Sequence, residues 1–400
     1  MPSTRTGYLA VIKEATPGTA LTPTHYLHYK SGDLGHNLDI IKNNPIQAVR
    51  HGAITAHPGK KATDGSFEMD LDWKEAGYWL GAALSFDSSP TDNGDGTYTH
   101  DCDPANSLAA LTVEQAKGDI TGTAYELNRA FGAYVDNFEI GASDGLVSLK
   151  VNLKSLGIFQ RSLLTADATA GASVDISLDD VEGLVTTTDT VLISDDSSSE
   201  SDAIAALSGT NKTITIATLG NSYTVAANAK VGLVPKTPSF VAQCLMSFDM
   251  VKFQFGADLS AAASAAEENV EDWSFVWENN LEERYGSLRR TPSVIAPKAS
   301  SGRLKFKRYF ESRADRDEYL ATTRNAVIIT IQDVNTTIGT GTQNPILALQ
   351  ISDMRYTAYD LPTGTDELYV AEIEGEFFYD ATDTRAVRAS LTTTIASFAA

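Results

Sequence analysis

Alternation with a period of two dominates this chain. After Asp144-Gly145, Val147, Leu149, Val151 and Leu153 fall on one side, with Ser148, Lys150, Asn152 and Lys154 on the other. That is the pattern of an antiparallel strand with one face on a core and one in water. Asp-Gly marks the turn of a hairpin over residues 131–155, because such turns need positive φ and glycine adopts it freely. The arm before the turn is less regular, with Phe138 and Ile140 set against Asn137 and Glu139. A long hairpin with one polar face either covers a core or lines a wet channel. Residues 65–72 alternate just as strictly, Phe67, Met69 and Leu71 against Glu68, Asp70 and Asp72.

The other segments punctuate this theme. Thr16-Pro17-Gly18 and Thr22-Pro23 are turns between short strands. Residues 36–64 are polar, carry Pro45, Gly52, Pro58 and Gly59, and lack periodicity, so the pattern predicts a long loop, functional or disordered. Apolar spacing predicts a short helix between Trp73 and Leu84. A hairpin tip at 92–97 leads into a strand at 98–102. Composition shifts near residue 163: residues 163–240 hold ten acidic residues against Lys212, Lys230 and Lys236, and only Tyr223 and Phe240 are aromatic. Short strands are predicted at 174–178, 190–193, 212–216 and 222–226, with a solvated loop at 195–202. This stretch reads as a small β domain inserted in a surface loop, where insertions are tolerated. Strands resume at 246–255 and 273–277, with a helix or ordered loop at 258–271. A strand at 326–332 precedes a second long hairpin, 346–356 and 368–379, whose return arm puts Glu372, Glu374 and Glu376 on one face.

Residues 38–84 and 275–321 share an order of features. Asn43-Asn44 and Asn279-Asn280 each precede a polar loop, then Gly65 or Gly302, an alternating strand and a helix. Two similar units, 1–162 and 241–400, flanking an insert at 163–240 are one reading; a chance likeness of two hairpin-rich halves is the other.

Composition narrows the function classes. The apolar fraction of 42% and aromatic fraction of 8% are those of a folded chain. A net charge of −21 lacks the basic footprint of a nucleic-acid-gripping protein. Two cysteines make no disulfide framework and are expected as reduced thiols. The first residues have no apolar signal core, and no stretch reaches the ~18 apolar residues of a membrane span, so folding in a cytoplasm is expected.

Chemistry is sparse. His25 and His28 are spaced i, i+3 without a third ligand, and His100 with Cys102 is an equally weak metal pair. Asp92–Gly96 lacks the acidic spacing of a calcium loop. Gly339-Thr-Gly341 lacks the context of a dinucleotide site, and no nucleophile, phosphate-loop or zinc-protease motif occurs. The expectation is no catalysis, no metal and no cofactor.

Glu14-Ala-Thr-Pro-Gly-Thr-Ala-Leu-Thr-Pro-Thr24, residues 65–72 with the following helix, Asp92–His100 and Val276-Trp-Glu-Asn-Asn280 together resemble the tail tube (major tail) proteins of phages with long non-contractile tails, siphovirus-like. The likeness covers most of 7–160 and 240–398. It implies a mainly β fold, a β-sandwich or barrel with short helices, which with the duplication and the insert read above gives two such units and a small inserted β domain. It implies rings stacked into a virion tail tube through which DNA passes without specific binding. The expected partners are further copies, a trimer with pseudo-sixfold symmetry ahead of a hexamer, together with tape measure and tail terminator or tip proteins, and no membrane. On that basis Glu68, Asp70, Asp72, Lys150, Lys154, Glu372, Glu374 and Glu376 are expected to face the lumen. Arg50, His57, Lys60, Lys61, Arg284, Arg289, Arg290 and Lys298 are expected in ring-stacking loops, the basic second loop meeting an acidic partner surface. The insert is expected on the exterior and dispensable for assembly. A virion-surface adhesin with a carbohydrate-binding insert is the alternative, disfavoured by the scarcity of aromatic residues in 163–240.

Overall fold

The computed structural model describes residues 7–43, 55–120, 125–143, 145–287, 289–341, 343–362 and 369–399. The first part of the chain forms β1 (Tyr8–Lys13), β2 (His25–Leu27), β3 (Ser31–Asn43), β4 (Thr55–Asp70), helix α1 (Ala76–Ala83), β5 (Thr91–Asp92) and β6 (Tyr98–Cys102). Then come β7 (Leu111–Gly118), β8 (Tyr125–Ala142) and β9 (Ser148–Phe159). A compact group follows: β10 (Arg161–Leu163), β11 (Gly171–Ser177), β12 (Thr190–Ser194), β13 (Ser199–Ser208), β14 (Thr213–Leu219) and β15 (Lys230–Leu233). The last part holds β16 (Val251–Gly256), α2 (Leu259–Ser264), β17 (Asp272–Glu278), β18 (Glu282–Arg284), β19 (Val294–Ala296) and β20 (Ser301–Tyr309). It ends with α3 (Ala314–Ala321), β21 (Asn325–Gln332), β22 (Ile346–Asp360), β23 (Val370–Phe378) and β24 (Val387–Thr393). The chain is mainly β with short helices.

Two sets of six strands follow one order. In the first, β1, β7, β8, β9, β4 and β3 are successive neighbours; in the second, β16, β21, β22, β23, β20 and β17 are. Two bulges fall at matching places in the two sets, and the first set has a third, in β3–β4 between Leu38 and Ile40. The β7–β8 register shifts between Leu111 and Val113, and β21–β22 between Asn325 and Val327. The β8–β9 register shifts between Val135 and Asn137, and β22–β23 between Tyr356 and Ala358. A bulge re-aims a strand and is placed by the fold, so these four points give a residue-by-residue correspondence. It pairs Glu139 with Asp360 and Glu68 with Lys307. It departs from the sequence alignment by two residues at Gly65, which corresponds to Leu304 and not to Gly302.

The sets join through β8 and β17, where Ile140 is opposite Phe275 and Phe138 opposite Trp277. The stacked rings of Phe138 and Phe275, 5.8 Å apart, make that seam part of one core. The predicted central hairpin is β8–β9, with Gly145 at φ +80°. Helix α1 is buried on every side, its Trp79 stacked on Phe67. The helix predicted between Trp73 and Leu84 is thus present, but it is buried all round where an amphipathic one was expected.

Three expectations need correction. Residues 36–64 are largely a β-ribbon, not a loop: β3 and β4 pair from Ser31–Glu68 out to Asn43–Thr55. The outer ribbon is wet on both faces, with Leu38, Ile40 and Ile41 exposed, so no alternation marks it. Residues 199–208 are strand β13, pairing with both β12 and β14, where a solvated loop was expected up to 202. Ile204 is its one deeply buried apolar side chain and a bulge follows, which erases the period-2 signal. Conversely, 222–226 is not a strand but a bridge at Tyr223 leading into a short 3-10 turn.

Strands β10 to β15 form a separate six-stranded sheet with its own apolar cluster. That cluster extends onto the first set. Leu9 and Val11 of β1 face the main core, while Tyr8 and Ala10 face the β10–β15 unit.

Candidate functional site

Eight strands make one continuous inner sheet in the order β3-β4-β9-β8-β17-β20-β23-β22. One face packs on the core. The other is almost wholly polar, because directly opposed residues in antiparallel strands point the same way. Glu68 is opposite Lys150, and Lys150 opposite Glu139. Further along, Lys307, Lys305 and Arg303 are opposite Glu372, Glu374 and Glu376. Lys305 reaches Glu374 at 3.1 Å, and Lys307 bridges Glu372 and Asp272 at 3.3 Å each. These exposed pairs organise charge more than they add stability. Lys154 pairs with Asp136 at 2.9 Å and donates to the Leu281 carbonyl. Asp70 pairs with Lys30 at 2.5 Å. Seven of the expected residues therefore share one face: Glu68, Asp70, Lys150, Lys154, Glu372, Glu374 and Glu376. The face carries cross-strand ladders of both signs, with carboxylates in excess.

Asp72 is not on it. The strand ends at Asp70, and Asp72 is buried under α1. Its carboxylate accepts from the backbone amides of Lys74 and Cys244, at 2.8 and 2.6 Å, and its carbonyl starts the helix by accepting from Glu75 and Ala76. Burial raises its pKa against the lowering effect of those two amides.

The expected stacking residues that are described gather on the outer ribbon of β3 and β4 and the loop facing it. Arg50 falls outside the described residues. His57 and Lys60 are exposed on the outer ribbon, the Lys60 ammonium 4.6 Å from the Tyr285 ring. The ribbon and the second loop hold each other. Lys61 N donates to the Arg290 carbonyl at 2.8 Å, and Arg290 Nε to the Gly59 carbonyl at 2.8 Å. Partial burial lowers the Lys61 pKa. Arg284 and Lys298 both approach Glu282, and Arg289 reaches Glu182 at 3.1 Å. The basic cluster is thus matched largely within the chain.

Sequence reading missed the most buried charges. Arg129 of β8 lies between Glu114 of β7 and Asp189, all three buried. Its Nε donates to Glu114 at 2.8 Å, Nη1 to Asp189 at 2.5 Å and to the Gly183 carbonyl at 3.1 Å. The Tyr8 hydroxyl donates to Glu114 at 2.5 Å. Burial works against the Arg129 charge, yet both carboxylates outweigh it and its pKa rises. The one signal in the sequence was a lone arginine between Leu127 and Ala130 in a stretch that must be a central strand. Glu14, also buried, accepts from Gly18 and Gly132 amides and the Thr112 hydroxyl, and tethers the β1–β2 connection.

The histidines are tied into the framework. His25 Nδ1 meets the Tyr78 hydroxyl at 2.8 Å, His28 Nδ1 meets Glu75 at 2.6 Å, and His100 Nε2 meets the Ile395 carbonyl at 2.7 Å. Among the described residues no cluster of His, Cys, Asp and Glu could hold a metal ion, and no helix is long and apolar enough to cross a membrane.

The site is therefore a polar-faced β sheet with cross-strand ladders of both signs. Residues 4–214 match the family described as phage tail tube protein. The chain belongs to that family and is a structural component of the bacteriophage virion tail. No curated protein matches it.

Proposed function

We propose that three copies of this chain close the inner sheet into a ring, with the polar face lining a DNA channel, and that rings stack into the tail tube. The observation that carries this reading is the inner sheet itself. Its eight strands run unbroken through both sets, end on edges with no strand partner among the described residues at β3 and at the far end of β22, and keep one face polar throughout. Exposed edges are a liability that closure removes. Three copies give about 24 strands, more than the 16–18 that already leave a water-filled channel.

The mixed ladders suit passage of DNA. Each cation on the face has a carboxylate opposite or beside it, so phosphates find no free row of lysines on which to release counterions. The unit 163–240 sits on the face of the first set opposite the polar sheet, which supports an exterior position. The division into 1–162, 163–240 and 241–400, with the first and last a duplicated pair, is supported by the shared strand order and matching bulges. The ribbon of β3 and β4, with Leu38, Ile40 and Ile41 exposed at one end of the sheet, is the element for ring-to-ring contact. Replacing those three by serine is expected to give free rings or protomers; tubes of normal length would overturn the stacking role.

A further inference from the structure

We infer that the joint between copies repeats the β8–β17 joint inside the chain, and that Gln115 and Asn128 hold it shut in the free protein. The inference rests on the ring reading and adds its residues and its control.

Inside the chain, Glu139 of β8 is opposite Val276 of β17, and Asn137 opposite Glu278. The matching bulges place Asp360 of β22 where Glu139 stands, and Ala358 where Asn137 stands. β3 stands in the first set where β17 stands in the second. A backbone bond anchors this match: Lys30 N donates to the Glu68 carbonyl as Glu271 N donates to that of Lys307. Val276 therefore corresponds to Gly35 and Glu278 to Asn37. Carried to the boundary between copies, Gly35 of one copy lies opposite Asp360 of the next, and Asn37 opposite Ala358.

At the β3 edge, two buried side-chain amides satisfy strand backbone groups. On β3, Leu34 N donates to Gln115 Oε1 at 3.0 Å and the Leu34 carbonyl accepts from Asn128 Nδ2 at 2.8 Å. The Gly32 carbonyl accepts from Gln115 Nε2 at 3.1 Å. Gln115 and Asn128 are themselves buried, on core-facing positions of β7 and β8. Their counterparts in the second set are Ile329 and Leu349, both apolar and fully buried. There β17 already has β8 as its partner. A buried amide pair thus occurs where the strand edge lacks a neighbour and is replaced by hydrocarbon where the neighbour is present. On the other edge, the buried Tyr359 hydroxyl has no hydrogen-bond partner. On assembly the incoming β22 backbone takes over the Leu34 groups, and the two amides must give up those bonds, which opposes pairing. The contact blunts an edge that would otherwise pair indiscriminately.

Two experiments test this. Gly35 has open space at its Cβ position, and Asp360 is exposed, so Gly35→Cys with Asp360→Cys leaves the fold intact. Opposed antiparallel residues lie within disulfide reach. Mild oxidation of tubes is expected to give covalent species up to trimers on non-reducing gels. Ser31→Cys with Asp360→Cys, about 13 Å out of register, is expected to give none. Tubes in which the first pair does not link, or in which the second links equally, overturn the register; a wild-type chain that forms no rings at all indicts the ring reading instead. For the control step, Gln115→Met with Asn128→Leu is expected to lower the concentration threshold of assembly about tenfold. Asn128→Leu alone, which keeps the Gln115 bonds, is expected to lower it about threefold and serves if the double variant does not fold. An unchanged or raised threshold in a folded variant overturns the latch.

Discussion

The first and second strand sets share an order and two matching bulges, yet their outer faces are covered by opposite means. Over β1, β7 and β8 lies the whole β10–β15 unit, fastened by Tyr8, Leu127 and Phe159 and by the buried Glu114–Arg129–Asp189 network. Over β16 and β21 lies one short helix, α2, whose Ala262 and Leu259 meet Ala326 and Ile328. Asp258 caps α2 by accepting from Ala261 N at 2.8 Å. Gly256 is fitted to the cover, since a Cβ there would stand 2.3 Å from the Ala262 amide nitrogen. The same strand scaffold thus accepts either a domain docked by charge or a helix docked by small apolar side chains. Apolar contact tolerates misfit; a buried ion network fixes one orientation, because a charge left unpaired there is costly.

Predictions follow from that contrast. Arg129→Ala is expected to cost about 3–5 kcal/mol by leaving two buried carboxylates uncompensated. Chemical denaturation measures it, and a loss under about 1 kcal/mol would mean the network does not dock the unit. Removing 163–240 uncovers Tyr8, Leu127 and Phe159, so a bare deletion is expected to aggregate, while deletion with Leu127→Thr stays soluble. This revises the expectation of a freely dispensable insert; a bare deletion as soluble as the parent would restore it. On the lighter cover, Leu259→Ala removes a half-buried side chain and is expected to cost about 1–2 kcal/mol. A cost equal to that of Arg129→Ala would erase the contrast.

A pH effect distinguishes the edges of the sets. His36, on the free-edge strand, is held near a pKa of about 4, first by burial and then by Lys61. The unfolded value is about 6.5. A depressed pKa means the contribution is complete above about pH 6.5 and is lost as pH falls toward 4. Discounted for partial solvent access, the loss is about 1–2 kcal/mol. His36→Gln is expected to flatten the thermal-stability profile between those limits, and an unchanged slope would remove His36 from the account. Smallest of all, Arg289→Ala breaks only an exposed pair with Glu182 and is expected to cost less than about 1 kcal/mol. Thermal unfolding checks this, and a larger cost would show that Arg289 has a buried partner role.

What could be read from the sequence tracks how each residue is buried. β9 and β4 alternate because one face meets a core and the other water, so Glu68, Lys150 and the glutamates of β23 were legible. Asp72 continued the pattern past the strand end, where the chain turns into α1 and buries a carboxylate that periodicity places outside. The outer ribbon of β3 and β4 is wet on both faces, and β13 has one deeply buried apolar anchor, so neither shows a period. Glu114, Arg129 and Asp189 are 15 and 60 residues apart in their pairings, and only the fold brings them together. The likeness of the two sets was visible as an order of features. Its true register depends on the bulges, which leave no mark in residue type.

The central claim is that one chain supplies two of six equivalent segments of a ring. Native mass spectrometry of an assembly-arrested ring, paired with an averaged top view, tests it most directly. The account predicts three chains around an open pore with pseudo-sixfold features and an exterior projection on alternate segments. Six chains in a ring, or an assembly without a pore, would contradict it.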